Sequence, residues 1–269
     1  MTTIGRFLSS IGQSAFLEAE TAPRPVVGFS MDYPAGLSTN WHSHSRAQLL
    51  YAVSGAMRIE TEVVSYIIPP SMALFLPSNA EHAIRMDGPV AMRALVLRED
   101  AESRAATEPK AIAVSPLLRE VILAACAEPL RWGLGGRGYF LTELALDEIA
   151  NAGVMPLALA MPNDNRLRRA VTILLDRPRD APTLEDLALA AGASSRTLAR
   201  LFRSETGLSF RQWRQQARMT EAMAALSTGA NPAQVAAKAG FGGQAAFGAA
   251  FRTHFGMTPG QARLLGKRA

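Results

Sequence analysis

The sequence predicts a two-domain α and β protein. An N-terminal β-barrel with a helical hairpin precedes an all-α C-terminal domain built on a doubled helix-turn-helix. Three observations predict it. Between Val26 and about Leu97, short apolar runs alternate with turn signals, as in a barrel or sandwich. Beyond Val114 the apolar spacing changes to that of helices. Between Leu184 and Gly256 a helix–glycine–helix pattern occurs twice.

Composition sets the bounds. A chain of 269 residues suggests one large or two ordinary domains. At 48% hydrophobic and 19% charged it is not a disordered chain. The single cysteine, Cys126, excludes an intramolecular disulfide, a cysteine-cluster zinc site and an iron–sulfur cluster. It sits in an apolar helical run, so a buried small side chain is favoured over a redox sensor. No early stretch has signal-peptide flanks, and no run approaches the roughly 18–20 apolar residues of a membrane span. A reducing, cytoplasmic setting without membrane contact is expected. Charge divides unevenly: residues 1–161 carry 12 basic and 16 acidic side chains, and residues 162–269 carry 16 and 7. An acidic part followed by a basic one suits a sensor joined to a nucleic-acid binder.

In chain order, residues 1–24 lack periodicity and read as a loose arm. Residues 25–110 read as the barrel, with apolar runs at 48–53, 56–61, 63–68, 73–76 and 90–97. Ser54-Gly55, Pro69-Pro70, Pro77-Ser78-Asn79 and Asp87-Gly88-Pro89 separate them. Residues 111–152 read as a helical hairpin over 114–128 and 139–151, its first helix opened by Ser115-Pro116. Residues 153–164, with two prolines, read as a linker. Residues 165–269 read as helices at 166–176, 183–190, 194–205, 209–227, 232–239 and 243–255.

In each copy of the repeat a glycine, Gly192 or Gly240, occupies the turn between two short helices. Apolar Leu187, Leu198, Leu201 and Phe202 lock the first pair, and Val235, Phe247, Phe251 and Phe255 the second. Thr183 with Asp186, and Ser194, are expected helix caps. The helix between the copies spans roughly 27 Å at about 1.5 Å per residue. That length can hold two recognition helices about one DNA turn, ~34 Å, apart.

Residues 163–268 resemble the DNA-binding domain of AraC/XylS-type bacterial transcription regulators. The resemblance rests on Thr183-Leu-Glu-Asp-Leu-Ala, on Arg196-Thr-Leu-Ala-Arg-Leu-Phe-Arg, on Gly240-Phe241, and above all on the closing stretch from Phe255 to Arg263. It implies a sequence-specific activator or repressor on double-stranded DNA with a separate sensing domain. It also implies a homodimer through the helical hairpin and a working partner in RNA polymerase. Charged substitutions at Leu118 and Val121 are the expected way to break such a dimer.

Arg196, Arg200 and Arg203 share one helical face, opposite the apolar one. Arginine near the start of a recognition helix can hold guanine O6 and N7 bidentately. Arg196 and Arg200 also match base-reading positions of the resembled family. Ser195 and Thr197 stand in support, and Arg203 is placed at phosphate or in solvent. The second copy departs from the family pattern: Ala245 stands where serine is common and Ala249 where arginine is frequent. Gln244 is its one expected base reader, with Arg252 and His254 reaching phosphates at most. The first copy is therefore expected to specify and the second to dock. Arg211, Arg214 and Arg218, on the connecting helix, read equally as backbone contacts or as a solvated face.

His42-Ser43-His44, then Gln48, Gly55 and the stretch Pro77 to His82, resemble the two motifs of the cupin barrel over about residues 35–100. Gln48 replaces the metal-binding glutamate, and Ser71 stands where glycine is usual. Residues i and i+2 of a strand face the same side, so His42 and His44 can both point into a barrel. One reading is a divalent metal, Zn, Ni, Cu or Fe, on His42, His44 and His82 with Gln48. A second is a metal-free pocket for a small-molecule effector, with Trp41 and Tyr51 either in its lining or, equally, packed in the core. A third is a structural role. The expectation for the whole is a regulator with no catalytic residues. The rivals are a metal-dependent cupin enzyme with a DNA-binding tail and a nucleoid protein without sequence preference.

Overall fold

The computed structural model describes residues 10–176 and 182–268. The described residues begin with a helix, α1 (Ser10–Thr21), within the stretch 1–24 that is expected from the sequence to be a loose arm; residues 1–9 of that arm lie outside the described residues. Its described apolar residues Phe16 and Ala19 pack on the barrel core, an interaction that periodicity within so short a segment does not reveal.

Seven strands follow: β1 (Val26–Tyr33), β2 (Ala47–Ser54), β3 (Met57–Thr61), β4 (Val64–Ile68), β5 (Met72–Leu76), β6 (His82–Met86) and β7 (Val90–Leu97). A short acidic helix, α2 (Glu99–Ala105), leads to β8 (Lys110–Ala113). The hairpin comprises α3 (Pro116–Ala127) and α4 (Arg137–Asn151), and β9 (Ala158–Ala160) comes after it. All pairings are antiparallel, in two sheets ordered β1-β7-β2-β5-β8 and β6-β3-β4-β9. Two expected boundaries shift. The barrel runs past residue 110, because β8 pairs with β5. The proline-containing linker 153–164 supplies β9, an edge strand on β4.

The five-stranded sheet is buried on both faces, which accounts for its near-continuous apolar strands. Leu50 and Ala52 of β2 point into the barrel with Met57, Ile59, Ile68 and Leu74. Ala47, Leu49 and Tyr51 point outward, under α2, α3 and α4, with Leu118, Val121 and Ile122. Ser115 caps α3 by accepting from Leu118 N at 2.9 Å. Gly28 is where α3 crosses β1 most closely: a Cβ there would lie 2.4 Å from the Cys126 backbone nitrogen. Cys126 is largely buried at this crossing, and its burial pushes the thiol up, away from thiolate chemistry. Ser71 takes a positive φ of 73°, the conformation for which glycine is the easier residue.

The face chosen for dimer-breaking substitutions is corrected by this packing. Leu118 and Val121 are buried against the barrel and cannot meet a second copy. The apolar residues the hairpin exposes are Leu117, Leu134, Tyr139, Phe140 and Leu144.

The C-terminal helices are α5 (Asn165–Asp176), α6 (Leu184–Ala191), α7 (Ser195–Thr206), α8 (Phe210–Ser227), α9 (Pro232–Lys238), α10 (Gln244–Phe255) and α11 (Pro259–Arg268). Six match the expected helices closely, and α11, on the closing stretch, is additional. One core joins Leu167, Val171, Leu187, Leu198, Phe202 and Trp213. The second helix-turn-helix buries Val235, Phe247, Phe251 and Phe255 in a core continuous with the barrel's. The two domains meet where α8 packs on β4 and β9. Trp213 Nε1 donates to the Ala160 carbonyl at 2.8 Å, and Arg58 Nη2 of β3 donates to Glu221 Oε1 of α8 at 2.7 Å.

Candidate functional site

Local chemistry builds the two helix-turn-helix units that the sequence expects to face DNA. Thr183 and Asp186 form a reciprocal capping box at α6, with Thr183 N donating to Asp186 Oδ2 at 2.9 Å. Gly192 turns the chain in the left-handed region (φ 67°), and Ser194 then caps α7 by accepting from Thr197 N at 3.1 Å. With Leu198, Leu201 and Phe202 buried, the opposite face of α7 exposes Arg196, Arg200 and Arg203. Among the described residues none of these arginines has a carboxylate partner. Thr197 Oγ1 lies 2.8 Å from Ser194 Oγ, so this side chain serves the cap; Ser195 is half-buried beside it.

The second copy repeats the frame. Asn231 caps α9, Gly240 turns with φ 74°, and the Phe247, Phe251 and Phe255 rings stack along the buried side of α10. Its outer face exposes Gln244, Ala245, Ala249, Arg252 and Thr253. His254 does not join them, contrary to its placement among phosphate contacts. Its ring packs edge-on against Phe255 and near the Pro156 backbone, and burial lowers its pKa.

The second site is in the barrel. His42 and His82 form a two-way backbone bridge, at 3.0 and 2.9 Å, and His44 O accepts from Asn79 N at 2.7 Å. These bonds bring together imidazoles that stand 38 residues or more apart along the chain. Ring centroids are 4.3 Å apart for His42–His82, 4.9 Å for His42–His44 and 5.6 Å for His44–His82. One ring nitrogen from each lies within 4.8 Å of the others, a looser bound than the 3–4 Å that shared coordination requires.

The protonation pattern is that of a ligand set. His42 Nδ1 lies 2.7 Å from the Asn40 carbonyl and His82 Nδ1 lies 2.9 Å from the Ala80 carbonyl. A carbonyl only accepts, so each Nδ1 carries the proton and each Nε2 keeps its lone pair. His82 Nε2 is buried with no partner among the described residues. Burial, with the neighbouring histidines, holds His44 down to about 3 and His82 down to about 4; burial also lowers His42. All three are neutral at pH 7, the form that binds a transition metal. The residues therefore fit a divalent transition ion.

Sequence reasoning missed two neighbours, both on α1. The Phe16 ring covers His44 at 4.2 Å between centroids. Glu20 Oε2 lies 3.9 Å from His44 Nδ1, while its Oε1 accepts from Ser45 N at 2.6 Å and Ser45 Oγ at 2.8 Å. Glu20 thus brings a carboxylate to a cluster in which Gln48 is neutral. Gln48 is buried on the inward face of β2. The expected pocket residues do not converge. Tyr51 points outward beneath α3, because its position in β2 has the opposite parity to Leu50. Trp41 is half-exposed and lines a cleft of about 570 Å³ between the barrel and α5, together with Arg58, Arg85 and Arg168.

Comparison with known proteins agrees with this architecture. Residues 29–98 match the cupin domain family and residues 187–264 a helix-turn-helix domain family. The HTH-type transcriptional regulator NimR of Escherichia coli (strain K12) is 30% identical over 228 residues, which cover 84% of this chain and 82% of NimR. The HTH-type transcriptional regulator RipA of Corynebacterium glutamicum is 35% identical over 99 residues, 37% of this chain and 30% of RipA. A crystal structure of an AraC-type regulator from Chromobacterium violaceum is 28% identical, covering 39% of this chain and 92% of that one, with a TM-score of 0.36. A double helix-turn-helix behind a cupin barrel defines a DNA-binding transcription regulator with an N-terminal cupin domain. The chain belongs to the AraC family of HTH-type transcription regulators. No helix among the described residues is long and apolar enough to cross a membrane.

Proposed function

We propose that this regulator reads double-stranded DNA mainly through α7 and that a divalent transition metal (Zn, Ni, Cu or Fe) on His42, His44 and His82 is its effector. The observation that carries the reading is the meeting of three neutral imidazoles, two with their Nδ1 protons committed to backbone carbonyls. The metal serves sensing and not turnover, as the regulatory relatives and the attached DNA-binding domain suggest. The test is metal analysis of the purified protein. It is paired with binding to the DNA upstream of its own gene, with and without chelator. Metal uptake that leaves DNA affinity unchanged refutes the effector role.

The proposed signal runs through the interdomain cleft. Trp41 and Glu81, each next to a cluster histidine, line the interdomain cleft with Arg168 and Thr172 of α5. Arg58 and Arg85 are register partners in β3 and β6, and Arg58 reaches Glu221 on the helix that joins the two recognition units. The guanidinium is 7% exposed, with Asp87 a weaker neighbour at 3.7 Å. In Glu221→Gln the ion still binds, but the difference in DNA affinity between loaded and chelated protein collapses. Thermal stability falls by about 1 kcal/mol, since Glu221 is partly exposed and Asp87 compensates. Retention of the full metal response in that variant takes the ion pair out of the coupling path.

The assembly proposed is a homodimer formed through the exposed side of the hairpin, with RNA polymerase as the downstream partner. Leu117, Phe140 and Leu144 supply the apolar surface. Leu117→Asp with Phe140→Asp yields a folded monomer in sedimentation, while Leu118→Asp unfolds the protein because it faces the core. An unchanged dimer in the first variant moves the interface elsewhere.

A further inference from the structure

A cleft of about 280 Å³ lies between the two helix-turn-helix units, away from both the histidine cluster and the exposed face of α7. Its floor is apolar: Leu174 and Leu175 from α5, Ala217 and Ala222 from α8, Val235 and Ala239 from α9. Its polar residues are strongly biased in charge. Arg214, Arg218 and Lys238 line it, and the one acid, Glu221, is committed to Arg58. Among the described residues none of these three cations has a carboxylate partner.

Arg214 is held in place by other contacts, and Arg218 is placed by its neighbours. Arg214 stacks on the Phe210 ring at 4.8 Å and donates to the Pro182 carbonyl at 3.3 Å. Arg218 lies against the turn of the second unit, where a Cβ at Gly240 would come within 3.2 Å of its Nη1. Two like charges beside an apolar floor are unfavourable without an anion, and a carboxylate relieves that repulsion. A neutral apolar molecule would leave the cations unserved, and a bare inorganic anion would leave the floor wet. The volume lies at the small end of the roughly 300–1,000 Å³ usual for small-molecule sites.

We propose that this cleft is a second effector site, which takes a small monocarboxylate with an apolar body about the size of a substituted benzene ring. Its walls come from α5, α8 and α9, so an occupant touches the second unit directly and the first only through α5, which packs on α6 and α7. The binding test needs neither metal nor operator, although Glu221 is shared with the proposed metal route; DNA affinity is read only to assign the cations if the acid does not bind.

The experiment is calorimetric titration of the full chain, with chelator present, using 4-phenylbutanoate and the neutral 4-phenylbutan-1-ol as probes. The acid is expected to bind saturably, with the alcohol at least about tenfold weaker. Arg218→Gln and Lys238→Gln should each weaken the acid by about fivefold or more. Ala217→Leu should abolish binding by filling the floor; since that variant could misfold, its helical circular dichroism is checked and the two charge variants stand as the independent test. Three results overturn the proposal. The first is equal affinity for acid and alcohol. The second is unchanged acid binding in both charge variants. The third is no acid binding at all, with both charge variants losing DNA affinity and salt dependence, which assigns the cations to DNA phosphates.

Discussion

Arg196→Ala and Arg200→Ala each lower affinity for the specific site by about 1–3 kcal/mol and relax the preference at one base position. Both side chains stand exposed on the first turns of α7 without carboxylate partners, so they are free to enter a groove. Their backbone is rigid, because Ser194 caps the helix and Leu198, Leu201 and Phe202 anchor its other side. Truncation therefore removes base contacts without disturbing the fold. The two residues are one helical turn apart and are expected to reach different bases, so the double variant should be close to the sum of the singles. Arg203→Ala and Arg252→Ala weaken all DNA alike and reduce the salt dependence by about one counterion each. Gln244→Ala costs less than either arginine of α7, because a neutral amide makes weaker hydrogen bonds than a guanidinium and the side chains beside it on the first turns of α10 are alanines. Competition binding against single-base variants of the footprint checks this. Equal, sequence-independent losses for Arg196, Arg200 and Gln244 would rule out direct readout by the first copy.

The C-terminal half was legible because its signals are local. A cap such as Thr183 with Asp186, a turn glycine and a run of apolar residues at helical spacing lie within one segment and need no distant partner. The barrel was legible as a class, while its edges were not. β8 and β9 are four and three residues long, and they are strands only because β5 and β4 offer them hydrogen-bonding edges. Helix α1 is held by burial of Phe16 and Ala19 on strands elsewhere in the chain. The site divides in the same way. His42, His44 and His82 were recognisable from spacing, whereas Glu20 and Phe16 join them only through folding of the N-terminal segment. Tyr51 was misplaced for a different reason. In a sheet buried on both faces, apolar pattern does not tell inside from outside, and only register assigns the parity.

Loss of metal binding is the largest effect expected from three substitutions. Wild-type protein with added Zn, Ni, Cu or Fe should take up about one ion per chain, and His42→Ala/His44→Ala/His82→Ala none. His82→Ala alone should be the most damaging single change, because its Nε2 is buried, unpartnered and oriented by the Ala80 carbonyl. Glu20→Gln should weaken uptake less than any histidine change, since the carboxylate stands 3.9 Å from His44 Nδ1 and adds negative charge beside the site without a hydrogen bond to the imidazole. A small inward movement of the rings accompanies binding, because Zn–N bonds of about 2.0–2.1 Å hold ligand nitrogens about 3.3 Å apart. The pH dependence separates this buried cluster from an exposed one. An ordinary histidine site loses metal as pH falls below about 6.5. Here burial holds His44 at about 3 and His82 at about 4, so protons compete only at lower pH than at an exposed histidine site. The same depression has a defined sign in the ion-free protein. Folded-state values below the unfolded 6.5 mean that stability is fully present above pH 6.5. It is lost progressively as pH falls towards 4 and below, because the unfolded chain takes up protons that the folded cluster refuses. Thermal melts of chelated wild type and triple variant between pH 7 and 4 read this directly. The wild type loses stability with the steeper slope, whatever the absolute cost of the three alanines. Equal slopes, together with equal metal content in the two proteins, would end the metal reading.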